Sequence, residues 1–201
     1  MKSVVSEERK KYDKVHTDSE YGCGPRQVDD LKDLKLPFSK RFREVIEEND
    51  TALDIACGGG TVLTYVDELG ITPTGVDISK NAVSKVNKKF DTYVASASEL
   101  PFEDEVFDVS YFLDGMEHVP VEIEDSALNE SFRVAKKYVC HAVALVASSF
   151  NGVALHPNLK TYDEWKEKFD LVAEKFGFEL DMEHFRNDTI HVIYKKKWKY
   201  L

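Results

Sequence analysis

The chain has 201 residues, 42% of them hydrophobic, which is enough to build one domain around a substantial core. Its net charge of −10 repels phosphate backbones unless basic residues gather into a stripe. No apolar run reaches membrane-spanning length, and the polar start Met1-Lys2-Ser3-Val4-Val5-Ser6-Glu7-Glu8 lacks a signal peptide's apolar stretch, so a cytoplasmic protein with no membrane partner is expected.

The first segment to stand out runs from Tyr12 to Arg26, where Tyr12, His16 and Tyr21 precede the turn-rich Gly22-Cys23-Gly24-Pro25. The most informative segment is Leu53-Asp54-Ile55-Ala56-Cys57-Gly58-Gly59-Gly60. Ala52, Leu53, Ile55 and Ala56 form the nearly continuous apolar run of a strand covered on both faces in a parallel sheet. Three glycines then let the backbone turn sharply and approach a ligand closely. Thr61 to Leu69 reads as a helix that stops at Gly70. A glycine loop between a strand end and a helix N-terminus is the usual ligand crevice of an open α/β sheet.

Spacing narrows the ligand. The dinucleotide pattern GxGxxG fails because Gly60 is followed by Thr61, Val62 and Leu63, and no phosphate loop ending in Gly-Lys-(Ser/Thr) occurs. An acid inside the first strand, Asp54, suits a ligand with an ammonium group rather than a phosphate chain. A second strand, Thr74-Gly75-Val76-Asp77, ends in an acid placed to accept both hydroxyls of a ribose. Ser79 is the expected N-cap of the next helix, opened by Lys80. Taken singly, Asp54 also reads as a loop cap and Asp77 as a strand-end turn former.

In this order the motifs resemble those of the class I S-adenosylmethionine-dependent methyltransferases. LDIACGGG is similar to their first motif and GVDIS to their second. ASASELPFEDEVFDVSYFLDGMEHVP resembles the adenine-side loop, fourth strand and following helix start of the small-molecule, type 11-like branch. The resemblance covers Thr51 to Val146, about half the chain. It implies an α/β fold: a Rossmann-like, seven-stranded, mostly parallel sheet with helices on both faces and an antiparallel last strand. It also implies S-adenosyl-L-methionine as cofactor, S-adenosyl-L-homocysteine as product, and methyl transfer to an oxygen or nitrogen of a small metabolite or sugar.

The same resemblance implies roles for particular residues. Asp54 and the backbone of Ala56, Cys57 and Gly58 would hold the methionine moiety, with Gly60 permitting close approach. Asp77 would bind the ribose and Ile78 pack on the adenine. Ser96, Ala97 and Ser98 would border the adenine edge, and Asp114 would lie beside the cofactor. An acid is frequent where Ser96 stands, and a serine accepts a hydrogen bond more weakly. A single domain over 1–201 is expected, with an N-terminal helical cap at 1–48 folded over the cofactor and a cofactor-binding core at 49–146. An acceptor-side loop, a helix and a terminal hairpin then fill 147–201. Arg26 would pair with the cofactor carboxylate, and Tyr21 would face the acceptor.

Further along, Asp108 to Leu113 reads as the fourth strand, Glu122 to Ala135 as a helix and Tyr138 to Val146 as an apolar strand. Ser148 to Tyr162 is long enough to be a functional loop, and Asn151, His156 and Asn158 in it can orient a hydroxyl or amine acceptor. Tyr162 to Phe176 reads as a helix ending at Gly177. Two last strands, near Phe178 to Phe185 and Thr189 to Lys195, flank a hairpin turn at Arg186-Asn187-Asp188.

His118 and His156 are the candidate bases, because imidazole titrates near neutrality. His118 also reads as a residue that orders its loop, and His141, inside an apolar strand, as a core histidine. His184 and His191 carry no signal. Cys23, Cys57 and Cys140 are odd in number without metal-ligand spacing, so a reducing compartment and no metal are expected. The cluster Lys195-Lys196-Lys197-Trp198-Lys199 reads as a solvated tail. Asp114-Gly115-Met116-Glu117 lacks the (Asn/Asp/Ser)-Pro-Pro-(Tyr/Phe) motif of amino-methylating DNA enzymes, so nucleic acid is not an expected partner. The competing reading is a catalytically weak binding or regulatory subunit that keeps the fold. A nicotinamide oxidoreductase is disfavoured by the failed glycine spacing.

Overall fold

The computed structural model describes residues 2–18 and 25–197, with the backbone alone at 25–28. Five strands run parallel: β1 (Thr51–Ile55), β2 (Thr72–Asp77), β3 (Asp91–Val94), β4 (Phe107–Leu113) and β5 (Ala135–Ala144). Two short strands, β6 (Ser149–Phe150) and β7 (Val153–Ala154), form a separate hairpin. The long strands β8 (Phe178–Arg186) and β9 (Thr189–Lys196) close the main sheet, whose order is β3-β2-β1-β4-β5-β9-β8. β9 is antiparallel to both neighbours, as expected of the last strand. Its hairpin with β8 turns through Asn187 and Asp188 at φ 51° and 56°, the paired left-handed backbone that matches strand twist.

Helices cover both faces. α1 (Lys2–Val15), α2 (Pro25–Lys32) and α3 (Pro37–Val45) precede the sheet; α4 (Thr61–Asp67) and α5 (Lys80–Val83) follow β1 and β2; α6 (Val121–Arg133) and α7 (Tyr162–Phe176) follow β4 and the β6–β7 hairpin. Strand alternation sorts the core into two layers. Val139 and Val143 of β5 join Phe132 of α6 and Trp165 and Phe169 of α7, whereas Cys140 and Ala142 join Phe42 of α3 and Val62 and Val66 of α4. His141 points with Val139 and Val143, is fully buried, and lies 3.1 Å from Ser131 Oγ through its Nε2. Burial lowers its pKa to about 3, so it is a neutral core histidine.

Three boundaries differ from the sequence reading. β5 begins at Ala135 rather than Tyr138, because Lys137 is held in the sheet by Asp50 at 2.7 Å and Asp108 at 3.4 Å. Arg133 ends α6 early, bonded to Glu130, Asp104 and the Phe102 carbonyl. β3 escapes hydropathy because it is a short, largely exposed edge strand. Nor are Lys195 and Lys196 a tail: both lie in β9, paired with Glu179 and Glu105. Among the described residues no helix is long and apolar enough to cross a membrane.

Candidate functional site

Strand order reverses between β1, which leads to β2, and its other neighbour β4, and a crevice opens at such a switch point beyond the strand ends. Two non-glycine residues there hold left-handed backbone, Ala56 after β1 (φ 61°) and Asp114 after β4 (φ 49°). Such conformations cost free energy and persist where the surroundings fix them. Gly58 (φ 52°) and Gly60 (φ 80°) complete the first turn, and Gly60 caps α4.

The carboxylate of Asp77 ties this turn to the next strand. Its Oδ2 accepts from the Gly58 amide at 3.0 Å, and its Oδ1 accepts from the Ser79 amide at 2.8 Å. Burial outweighs these two bonds and raises the Asp77 pKa to about 6. Ser79 caps α5 as expected, accepting from Ala82 N. Asp13 of α1 accepts from Ser79 Oγ at 2.9 Å, and Asn81 Nδ2 donates to the Asp13 carbonyl at 2.7 Å. The first helix is thereby fastened beside Asp77, a link that nothing in its sequence announces.

A cavity of about 720 Å³ fills the crevice under α1. Of the residues assigned to the cofactor, Ala56, Gly58, Asp77, Ile78, Ser96, Ala97 and Asp114 line it, as do Tyr12 of α1, His16 just after that helix and the candidate base His118. Asp54, Cys57, Gly60 and Ser98 do not line it. Asp54 lies behind the turn, where burial, and after it the Asp77 charge, push its pKa well up. One of its oxygens has no partner among the described residues. Cys57 packs against Gly75, where a Cβ would meet its sulfur at 2.9 Å, and burial pushes its thiol pKa up, so it is a packing residue rather than a nucleophile. Ser98 supports Ser96 through a 2.8 Å hydroxyl contact.

A second, wider cleft of about 1200 Å³ adjoins the first and shares Asp114 and His118 with it. His156, the other candidate base, lines this cleft together with Glu117, His184, Arg186 and His191, none of which sequence reasoning selected. The signal for the last three is only positional, since the register of the final hairpin sets His184 opposite His191. His118 is held at Nδ1, 2.9 Å from both the Leu155 carbonyl and Tyr12 Oη. Burial, and next the neighbouring His156, depress its pKa to about 3. Asn151 joins neither cavity: it sits exposed in the β6–β7 turn and donates to Asp18 at 2.9 Å. Asn158 is fully buried and bonded to Glu124, a structural role instead of an acceptor contact. Tyr21 and Cys23 lie outside the described residues, as does the side chain of Arg26.

Residues 53–139, from β1 into β5, match the family model described as a methyltransferase domain. Over that segment the chain resembles the class I S-adenosylmethionine-dependent methyltransferases. Over 122 residues the chain is 30% identical to the sterol 4-C-methyltransferase strm-1 of Caenorhabditis elegans, covering 56% of this chain and 35% of that protein. It is 28% identical over 172 residues to the ubiquinone/menaquinone biosynthesis C-methyltransferase UbiE of Rickettsia bellii, covering 69% and 68%. The chain spans less than half the length of the first curated relatives it matches. Its fold is that of the magnesium protoporphyrin IX methyltransferase of Synechocystis PCC 6803, solved with bound SAH, at TM-score 0.65 and 13% identity over 92% of each chain.

The cradle has features that fit S-adenosylmethionine: the glycine turn leaves open backbone, and Asp77 presents a carboxylate to the cavity where a ribose would lie.

Proposed function

We propose that this chain transfers the methyl group of S-adenosylmethionine to an oxygen or nitrogen of a small acceptor seated in the second cleft. The observation that carries this reading is the meeting of two cavities at Asp114 and His118, on the turn that follows β4. One cavity has the residues for the cofactor, and the other opens beside it. When bound, S-adenosylmethionine supplies an electrophilic methyl group on a sulfonium. Asp77 accepts from the ribose hydroxyls, Ile78 packs on the adenine, and Ser96 with Ala97 borders its edge. Tyr12 of α1 and His16 just after it keep water from that side, because methyl transfer needs alignment and desolvation more than acid–base assistance. His118, neutral and with Nε2 free, orients the acceptor at the junction.

Names among the relatives divide over the acceptor atom. They include C-methyltransferases and a ubiquinone biosynthesis O-methyltransferase of Hydrogenovibrio crunogenus, 26% identical over 98 residues. The imidazole and carboxylate groups in the second cleft, from Glu117, His118, His156, His184 and His191, support a heteroatom over carbon. Calorimetric titration with S-adenosylhomocysteine tests the cofactor half, and absence of binding overturns the reading. Turnover on a panel of hydroxyl, amine and carbon acceptors tests the other half. Cofactor binding without turnover on any of them would support the regulatory-subunit alternative.

A further inference from the structure

The candidate bases His118 and His156 meet a third donor, Glu117, where the two cavities join. One ligand atom from each lies within 4.8 Å of the others. Glu117 is 1% exposed, and its Oε1 accepts from the Ala144 amide at 3.1 Å. Its Oε2 is buried with no partner among the described residues. A buried carboxylate oxygen left unpaired is costly, and Asp114, a like charge nearby, makes it costlier still.

Both histidines are already set as ligands. His118 Nδ1 lies 2.9 Å from the Leu155 carbonyl, and His156 Nδ1 lies 2.6 Å from the Val146 carbonyl. A carbonyl only accepts, so each Nδ1 carries the proton and each Nε2 keeps a free lone pair. Metal-binding histidines are held in the same way, by an outer acceptor that fixes tautomer and ring direction.

We propose that Glu117 Oε2, His118 Nε2 and His156 Nε2 bind a divalent first-row transition-metal ion whose remaining positions open to the acceptor cleft. Two imidazoles with one carboxylate select zinc, iron, manganese or cobalt over magnesium and calcium, which prefer all-oxygen sites. Ordinary metal–ligand lengths place donors ~3.3 Å apart, so the three close by roughly 1.5 Å onto the ion. His156 lies on the loop between β7 and α7, outside the sheet and helices. All three residues line the acceptor cleft, so the open positions face the acceptor.

The consequence rests on the methyl-transfer reading and narrows it to a hydroxyl acceptor with a second oxygen beside it, able to chelate. The ion lowers the hydroxyl pKa, and the proton passes to solvent. The oxygen then bonds to the methyl carbon as the carbon–sulfur bond breaks, and its electron pair stays on sulfur.

The test uses the full chain freed of metal by chelation and dialysis, titrated with Co²⁺ by visible absorption and with Zn²⁺ by calorimetry. The expected result is one ion per chain, with affinity falling at least about a hundredfold in His156→Ala and Glu117→Gln, beyond the effect of losing an outer partner. Both variants should keep their S-adenosylhomocysteine affinity, which also shows that they fold. His184→Ala, on the opposite wall of the cleft, should bind the ion as the parent does. No bound ion, or binding that survives His156→Ala and is lost in His184→Ala, overturns the site. If S-adenosylhomocysteine binds and the ion does not, this inference fails and the methyl-transfer reading stands; the reverse outcome separates them the other way.

Discussion

Asp77 makes the cofactor half of the site testable by pH alone. Its carboxyl titrates at about 6 in the free protein because burial outweighs the two amide bonds from Gly58 and Ser79. The proposed ribose contact requires the ionised form, and at pH 5 such a group is roughly one-tenth ionised. S-adenosylhomocysteine should therefore bind about tenfold more weakly at pH 5 than at pH 8, with close to half a proton released per binding event near pH 6. Calorimetry in buffers of different ionisation enthalpy reads both quantities. Asp77→Asn should bind weakly at every pH, by about 10- to 100-fold, since it loses charge-assisted hydrogen bonds and turns an amide group toward one of two backbone donors. The sign for stability is opposite. A carboxyl raised above its unfolded value of 3.8 stabilises the fold below that value, and the contribution is lost as pH rises through about 6. At about 1.4 kcal/mol per pH unit, the parent should lose roughly 3 kcal/mol relative to Asp77→Asn between pH 4 and pH 7. Affinity that is flat from pH 8 to pH 5, or a slope that survives Asp77→Asn and so belongs to Asp54, would refute the reasoning.

Three further outcomes follow from other parts of the fold. His141 is depressed to about 3, so its contribution is present above 6.5 and lost as pH falls; His141→Leu should flatten acid destabilisation by about 3 kcal/mol between pH 7 and pH 4.5, measured by denaturant unfolding. Gly115→Ala places a Cβ 2.1 Å from Phe112 Cε2, which should cost about 1–3 kcal/mol and weaken S-adenosylhomocysteine binding in the same variant. Thr161→Ala removes the capping box that starts α7 and should lower Tm by a few degrees, for a loss of about 1 kcal/mol, leaving cofactor affinity unchanged.

The cofactor half was legible because its constraints are local. Apolar runs, glycines that need left-handed backbone and acids at strand ends are consecutive in the chain, so spacing carried the resemblance, and the resemblance in turn implied the sheet. What spacing does not carry is side-chain direction. Asp54 at the end of β1 and Cys57 in the loop after it do not line the cavity, and no periodicity rule separates them from Ala56 and Gly58. The acceptor half was hard to read because it is assembled by contacts distant in sequence. Tyr12 reaches Leu155 and His118, Asp13 reaches Ser79, and His156 returns to the turn after β4 across the whole of β5. Glu117 looked like one more acid in a motif. Only tertiary burial shows that one of its oxygens is left without a protein partner.

The two halves behave as one unit because of Gly115. Its missing Cβ leaves room for Phe112 and would otherwise stand 3.3 Å from Ala56 Cβ, so the turn bearing Glu117 and His118 rests directly on the turn bearing Ala56 and Gly58. Their parent strands pair, with Asp54 opposite Tyr111, and Ala56 and Asp114 both hold strained left-handed backbone just beyond. Each such residue costs on the order of 1 kcal/mol and persists because its neighbours leave no alternative, so neither turn relaxes without the other. The spacing between the proposed cofactor and acceptor is therefore set by the sheet, whereas the acceptor cleft is walled by segments laid over it, namely the His156 loop and the β8–β9 hairpin. Substitutions in those segments should alter which acceptor is used while S-adenosylhomocysteine affinity holds, and that division of labour is what lets one cradle serve relatives named for such different acceptors.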